Sequence, residues 1–225
     1  GATTIASRGT LAQKERWLPG IMTMEKVASW AITEPDSGSD AFGGMRTYVR
    51  RDGDDYILNG RKTFITNGPY ADVMIVYAKL DEGPGTGDAD KRNRKVLPFV
   101  LDTGMEGLTQ GAPLAKMGLH SSPTGELFFN DVKVPGDNII GGTEGQGFVQ
   151  LMQQLPQERL NIAVQGVAAA ERGLEHTLAY VKERKAFGKR VLDFQNTQFK
   201  LAEVKTKLTV AKVFVDHCIS LHLQG

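Results

Sequence analysis

The 225-residue chain has a single cysteine, Cys218, which excludes an internal disulfide framework and fits a reducing compartment. No apolar run approaches the ~20 residues that a membrane helix needs. A formal net charge of +1 gives no reason to expect nucleic acid or a polybasic membrane anchor as a partner. The four histidines, His120, His176, His217 and His222, include no i, i+4 pair. His217 and Cys218 are adjacent and would face apart on a helix, so a metal site is not expected. There is no nucleophile elbow around a serine. Gly83, Gly85 and Gly87, and the run Gly141-Gly142-Thr143-Glu144-Gly145-Gln146-Gly147, lack dinucleotide-fingerprint spacing, and no βαβ pattern surrounds them. The latter reads as a turn into a helix. The start, Gly1-Ala2-Thr3-Thr4, has neither a Met nor the pattern of a signal or transit peptide. The end falls just as a helical pattern ends, and the chain reads as a piece of a longer protein.

What is present changes texture twice. Thr10-Leu11-Ala12-Gln13 is a capping box, and a short helix is expected from there through Trp17, ending at Pro19-Gly20. From Val27 short runs take over: Tyr48-Val49, Tyr56-Ile57-Leu58, Phe64-Ile65, the continuous run Val73–Ala78, then residues 97–101 and 126–129. Asp52-Gly53-Asp54 and Asn59-Gly60 separate some of them, and Asn-Gly favours a tight hairpin turn. Residues 27–137 are therefore expected to form an antiparallel β-barrel or sandwich. A polar, then basic, stretch at 81–95 reads as a solvated loop or as a contact for a substrate phosphate. After Gly142, Leu160, Ala163, Val164, Val167, Leu174, Leu178 and Val181 recur at helical spacing, as do Leu201, Val204, Leu208, Ala211, Val215 and Cys218. Two long amphipathic helices are expected, broken near Phe187-Gly188. Two helices do not enclose a bundle core, so their apolar stripes call for partners from further chain or another subunit. The fold class is α+β: residues 1–26 close a helical domain, 27–137 are the β domain, and 138–225 begin a second helical domain.

Three stretches carry possible chemistry. Trp30-Ala31-Ile32-Thr33-Glu34-Pro35-Asp36-Ser37-Gly38-Ser39-Asp40 starts as a strand and breaks into small hydroxyl and glycine residues. These allow close approach of backbone N–H groups to a phosphate or a ring; composition alone favours a Ser/Gly turn. Glu158-Arg159 follows Leu155-Pro156-Gln157, where the proline should interrupt a helix and free a carbonyl; a first-turn glutamate at a helix start is the plainer reading. Arg184-Lys185-Ala186-Phe187-Gly188-Lys189, followed by Gln195, could hold a phosphate and an aromatic edge, or could be a basic helix C-terminus with a glycine cap.

Taken together and in order, these stretches resemble the acyl-CoA dehydrogenase family. Ala31 to Gly43 matches the family's signature throughout, Phe64-Ile65-Thr66-Asn67-Gly68 is similar to its second flavin-contacting strand (which often has Trp where Phe64 stands), and Glu183 to Lys189 is similar to its helix-break motif. Leu155 to Leu160 and Phe214 to Cys218 are closest to the long-chain branch. The resemblance implies an N-terminal helical domain, a middle β domain and a C-terminal four-helix domain. This chain would hold the end of the first, all of the second and half of the third.

By that likeness the cofactor is FAD. Trp30, Ile32 and Thr33 should contact its ring, with Gly38 and Ser39 at its pyrophosphate. Phe64, Ile65 and Thr66 should lie against the ring. Arg184, Phe187 and Gln195 should reach the FAD of a neighbouring subunit. Ser39, Pro156 and Arg159 should touch substrate. Most of the family carries its catalytic glutamate near the C-terminus; the long-chain and isovaleryl branches place it one residue before the helix arginine, here Glu158. The implied reaction is α,β-dehydrogenation of an acyl-CoA thioester, with Glu158 taking the α-proton and the β-hydride passing to flavin N5. A desolvated Glu158 and an inactive isolated fragment are expected. The implied partners are acyl-CoA, electron-transferring flavoprotein and further copies of the chain as a dimer or tetramer. The place would be the cytoplasm in a bacterium or the mitochondrial matrix in a eukaryote. An oxygen-using oxidase of the same fold and a non-catalytic flavin-binding subunit are the competing readings.

Overall fold

The computed structural model describes residues 2–83 and 94–224. It divides into two compact units, Gly1–Met152 and Gln153–Gly225. The basic stretch around 84–93, read as loop or phosphate contact, lies outside the described residues.

The first unit opens with two helices, α1 (Ala2–Arg8) and α2 (Leu11–Met22). The capping box forms: the Gln13 amide donates to Thr10 Oγ1 at 3.3 Å, and the Thr10 amide donates to Gln13 Oε1 at 3.0 Å. The helix does not stop at Pro19-Gly20. Proline removes one donor but leaves its own carbonyl, which accepts from the Thr23 amide, and Gly20 accepts from the Lys26 amide. Buried Gln13 also donates to the Asp137 and Ile139 carbonyls, at 2.7 and 2.6 Å, and so fastens α2 to the far end of the β layer.

The strands are β1 (Ala28–Ala31), β2 (Tyr48–Asp52), β3 (Asp55–Thr66), β4 (Val73–Leu80), β5 (Val96–Asp102), β6 (Leu108–Gln110) and β7 (Thr124–Val134), with a four-residue helix α3 (Ala41–Gly44) between β1 and β2. They form one seven-stranded sheet in the order β1-β4-β2-β3-β7-β6, with β5 also pairing β4. The expected antiparallel pairings are present, but β1 and β2 both run parallel to β4, so the sheet is mixed. Loop returns produce the parallel pairs, and strand composition does not encode them. One face closes over a core of Ala31, Val49, Leu58, Met74, Val76, Leu97, Phe99, Leu127 and Val132, all fully buried. β4 is buried along its whole length, as its continuous apolar run requires.

Asp52-Gly53-Asp54-Asp55 makes a hairpin turn, with Asp52 facing Asp55. Asn59-Gly60 does not: it lies inside β3 at a shift of register against β7. Gly60 has φ +139°, and a Cβ there would stand 2.7 Å from the Thr47 Cα. The glycine thus lets the 47 segment cross close to the strand, beside a shift in which β7 carries the extra residue.

The second unit is built from the long helix α4 (Gly147–Glu183), of which it contains all but the first turns, and α5 (Gln195–Gln224). Between them lie a two-stranded ribbon, β8 (Lys185–Ala186) and β9 (Lys189–Arg190), and a short 3₁₀ turn, Val191–Asp193. Phe187 and Gly188 form the ribbon's tip with φ of 52° and 76°, positive at both positions as a type I′ turn requires. The Lys212–Glu171 ion pair, 3.1 Å long, joins α5 to α4, so α5 folds back along α4. The buried apolar residues of this unit are Leu174, Val181, Leu208 and Val215, while Ile162, Phe199, Val210, Val213 and Phe214 stand out in solvent. Pro156 does not interrupt α4, which is helical on both sides of it, although the Met152 carbonyl loses its helical donor there.

Candidate functional site

The strand β1 delivers Trp30, and the chain leaves it through Ile32 and Thr33. Thirty residues on, β3 ends with Phe64, Ile65 and Thr66. These six line a single cleft of about 280 Å³, together with Ala28, Ser29 and Asn67. The Trp30 ring packs edge-on against Tyr77 at 5.9 Å, which fixes that wall. Phe64 is placed by a bulge: the register of β3 on β7 shifts between Lys62 and Ile65. Phe64 takes φ +56° and is 67 % exposed, an arrangement that costs a non-glycine residue roughly 1–2 kcal/mol. Asn67 is also left-handed, with φ 62°, and donates to the Ala28 carbonyl, closing the cleft's rear.

Among the described residues the hydroxyls of Thr33 and Thr66 and the backbone amide of Thr33 have no hydrogen-bond partner. The cleft thus combines flat apolar walls with unspent donors at its edge.

Beyond Thr33 the loop folds on itself. Glu34 and Ser37 exchange backbone hydrogen bonds at 2.9 and 3.1 Å, Ser37 Oγ donates to the Asp40 carbonyl, and Asp40 caps α3 through the Gly43 amide. Gly38 and Ser39 are left exposed between these braces. They do not line the cleft itself.

The loop's anchor is a buried ion pair that sequence reading missed. Lys62 Nζ, fully buried, meets Glu34 Oε1 at 2.8 Å and donates to the Ile32 carbonyl at 3.1 Å. Glu34 also accepts from the Arg46 and Thr47 amides at 2.7 and 3.0 Å. Burial pulls the Lys62 ammonium down to about 8 against the raising pull of Glu34. For Glu34 burial pushes upward, but Lys62 and the Thr47 and Arg46 donors outweigh it and hold the carboxylate below its usual range. A signal existed: Lys62 has the same parity as Tyr56 and Leu58, which face the core.

The other sequence-selected residues belong to the second unit. Pro156, Glu158 and Arg159 are exposed on α4. The described part of the chain does not supply the desolvation expected for Glu158. Arg184, Phe187 and Gln195 cluster at the far end of the helix pair, where Phe187 is 95 % exposed and its ring meets Phe194 edge-on at 6.4 Å. From Glu158 to Glu183 the helix climbs about 37 Å at ~1.5 Å per residue. The two groups are therefore remote from each other within one chain. A cavity of about 430 Å³ between Tyr70, Lys116 and His120 gathers none of the selected residues.

Comparison with known proteins decides the family. The acyl-CoA dehydrogenase middle domain matches residues 29–132, and the acyl-CoA dehydrogenase C-terminal domain matches 145–225. The chain belongs to the acyl-CoA dehydrogenase family. It is 44 % identical to the mitochondrial long-chain specific acyl-CoA dehydrogenase of Mus musculus over 97 % of its own length and 49 % of that protein's, so it spans about half the relative. The crystal structure of acyl-CoA dehydrogenase from Geobacillus kaustophilus superposes with a TM-score of 0.90 at 44 % identity, covering 99 % of this chain and 57 % of that one. A glutaryl-CoA dehydrogenase from Mycobacterium smegmatis, solved in complex with FADH2, matches at TM-score 0.85 and 33 % identity over 96 % of this chain and 52 % of that one. These likenesses bear out the α+β fold of the acyl-CoA dehydrogenase type.

Proposed function

We propose that the protein carrying this chain is an FAD-dependent acyl-CoA dehydrogenase, and that the cleft between the end of β1 and the end of β3 receives the flavin ring. The observation that carries this reading is the convergence of Trp30, Ile32 and Thr33 with Phe64, Ile65 and Thr66 on one cleft. The donor set suits the ring: Trp30, Phe64 and Ile65 offer flat apolar surface, while the free Thr33 amide and the Thr33 and Thr66 hydroxyls suit its polar edge. Gly38 and Ser39, exposed on a braced loop, suit the pyrophosphate, and Ser39 with Pro156 and Arg159 would touch substrate. Bound there, the flavin would supply the acceptor for the substrate's β-hydride. Glu158 takes the α-proton, for which it must be covered by bound substrate or by surrounding protein so that its affinity for the proton rises. The length of helix between Glu158 and Arg184 supports sites shared between copies: Arg184, Phe187 and Gln195 reach the cofactor of a neighbouring subunit. The exposed apolar stripes of α4 and α5 favour the same homo-oligomer, and electron-transferring flavoprotein is the electron acceptor that family membership suggests.

The test uses the full-length protein. Wild type should purify with flavin absorbance that bleaches anaerobically when acyl-CoA is added. Glu158→Gln should keep the flavin and bleach about 10²–10⁴-fold more slowly. Near-normal bleaching in that variant would overturn the assignment of the base.

A further inference from the structure

The bulged end of β3 grips the segment after β1 at two successive carbonyls. Lys62 Nζ donates to the Ile32 carbonyl at 3.1 Å from inside the sheet, and the Thr63 amide donates to the Thr33 carbonyl at 2.9 Å. A trans peptide is planar, with its C=O and N–H pointing opposite ways. No peptide bond in the described chain is cis. Holding the Ile32 oxygen inward therefore turns the Thr33 N–H outward, on the side where Thr33 lines the cleft. That N–H is the amide left without a partner. Lys62 does not line the cleft; it acts from behind, fully buried.

We propose that Lys62 is a positioning residue for the cofactor cleft: by holding the Ile32 carbonyl from within the sheet, it presents the Thr33 N–H as a fixed donor to an acceptor on the edge of the bound ring. Glu34 has a separate task. It neutralises the buried ammonium and ties the loop to the Arg46 and Thr47 amides. The pair is thus divided, with the lysine serving the ring and the glutamate serving the loop. This inference rests on the flavin reading of the cleft.

The division is testable in the full-length protein by comparing Lys62→Met with Glu34→Gln, using FAD as the probe. Both remove a partner of a buried charge and both should lower the melting temperature. Glu34→Gln leaves an amine on the Ile32 carbonyl, so at a temperature where far-UV circular dichroism shows it folded, its bound FAD should keep the wild-type visible bands and reduction potential, any loss of affinity coming through the loop that carries Gly38 and Ser39. Lys62→Met frees the carbonyl, and FAD should dissociate about tenfold more readily, the worth of one well-made hydrogen bond, with shifted visible bands and reduction potential. Should Lys62→Met not fold, the double variant Lys62→Met/Glu34→Gln removes both charges together and should show the same weakened, spectrally shifted flavin. Wild-type affinity, spectrum and potential in the lysine variants would overturn the proposal. So would equal shifts of the visible bands and potential in Glu34→Gln and Lys62→Met, since the lysine would then have no task at the ring separate from the pair. A wild-type protein that binds no FAD would instead overturn the functional reading on which it stands.

Discussion

Phe64 and Phe187 share a positive φ, 56° and 52°, and both rings stand in solvent. They are held there by opposite means. Phe64 sits at a bulge whose neighbours are fixed from behind, Lys62 by the buried Glu34 and Thr63 by the Thr33 carbonyl. Phe187 sits at the tip of a two-residue turn with exposed charges around it, the Arg190–Asp193 pair and Lys189 stacked on Phe194. The first strain is imposed by tertiary contacts, the second by the turn itself. An aromatic residue in a conformation better suited to glycine or asparagine is a local cost at both places, and such costs persist where a ligand or partner later uses the exposed group.

The largest effect should come from breaking the deep support. Lys62→Met leaves Glu34 as a buried unpaired carboxylate and should cost about 3–5 kcal/mol of folding stability, measured by denaturant unfolding of the full-length protein.

Acid attacks the same support. The Glu34 carboxylate titrates below its unfolded value, so its contribution is intact above that value and is lost as pH falls below about 4.5 through the folded one. Melting temperature followed from neutral pH to that range should drop more steeply in wild type than in Glu34→Gln, whose side chain has no proton to take up.

Smaller and of opposite sign is relief of the backbone. Phe187→Asn suits the turn and should stabilise the fold by about 1 kcal/mol, and Phe64→Asn by no more than that. Both should weaken FAD retention in the assembled protein. A Phe64 variant that gains stability and keeps its flavin would remove the functional reason for the strain.

Least of all, Asp193→Asn should lower the melting temperature only slightly: its carboxylate holds Arg190 at two points and accepts from the Arg190 amide, but the pair is solvated and its worth is screened.

The parts of the site that could be read in the chain were those with local chemistry. A strand breaking into Thr, Ser and Gly after Trp30, an Arg-Lys-Ala-Phe-Gly tip between helices and a Glu-Arg step beside a proline are all visible as sequence, and their order carries the family resemblance. The capping box at Thr10 and the buried run of β4 were equally legible, since both follow from hydrogen bonds and hydrophobicity within a few residues. Misreadings arose where distant chain intervened. Asn59-Gly60 has turn chemistry, but it runs on inside β3, where Thr47 packs against Gly60 and β7 carries an extra residue opposite Asn59. Pro19 and Pro156 have breaker chemistry, but each removes a single hydrogen bond from a helix that the rest of the element sustains.

By itself the sequence determined the residue types suited to a ring, a phosphate and a proton, because donors, flat apolar surface and a carboxylate are properties of single side chains. Tertiary structure alone decided which of them meet. Trp30 to Thr33 and Phe64 to Thr66 share a cleft because β1 and β3 are drawn together through the buried Lys62 and the Thr63–Thr33 hydrogen bond. Glu158 and Arg184 are kept apart by the rigid helix between them. The orientation of the Thr33 amide was likewise beyond the sequence, since it depends on a charge buried behind a peptide thirty residues away, and only folding can make that burial worth its desolvation.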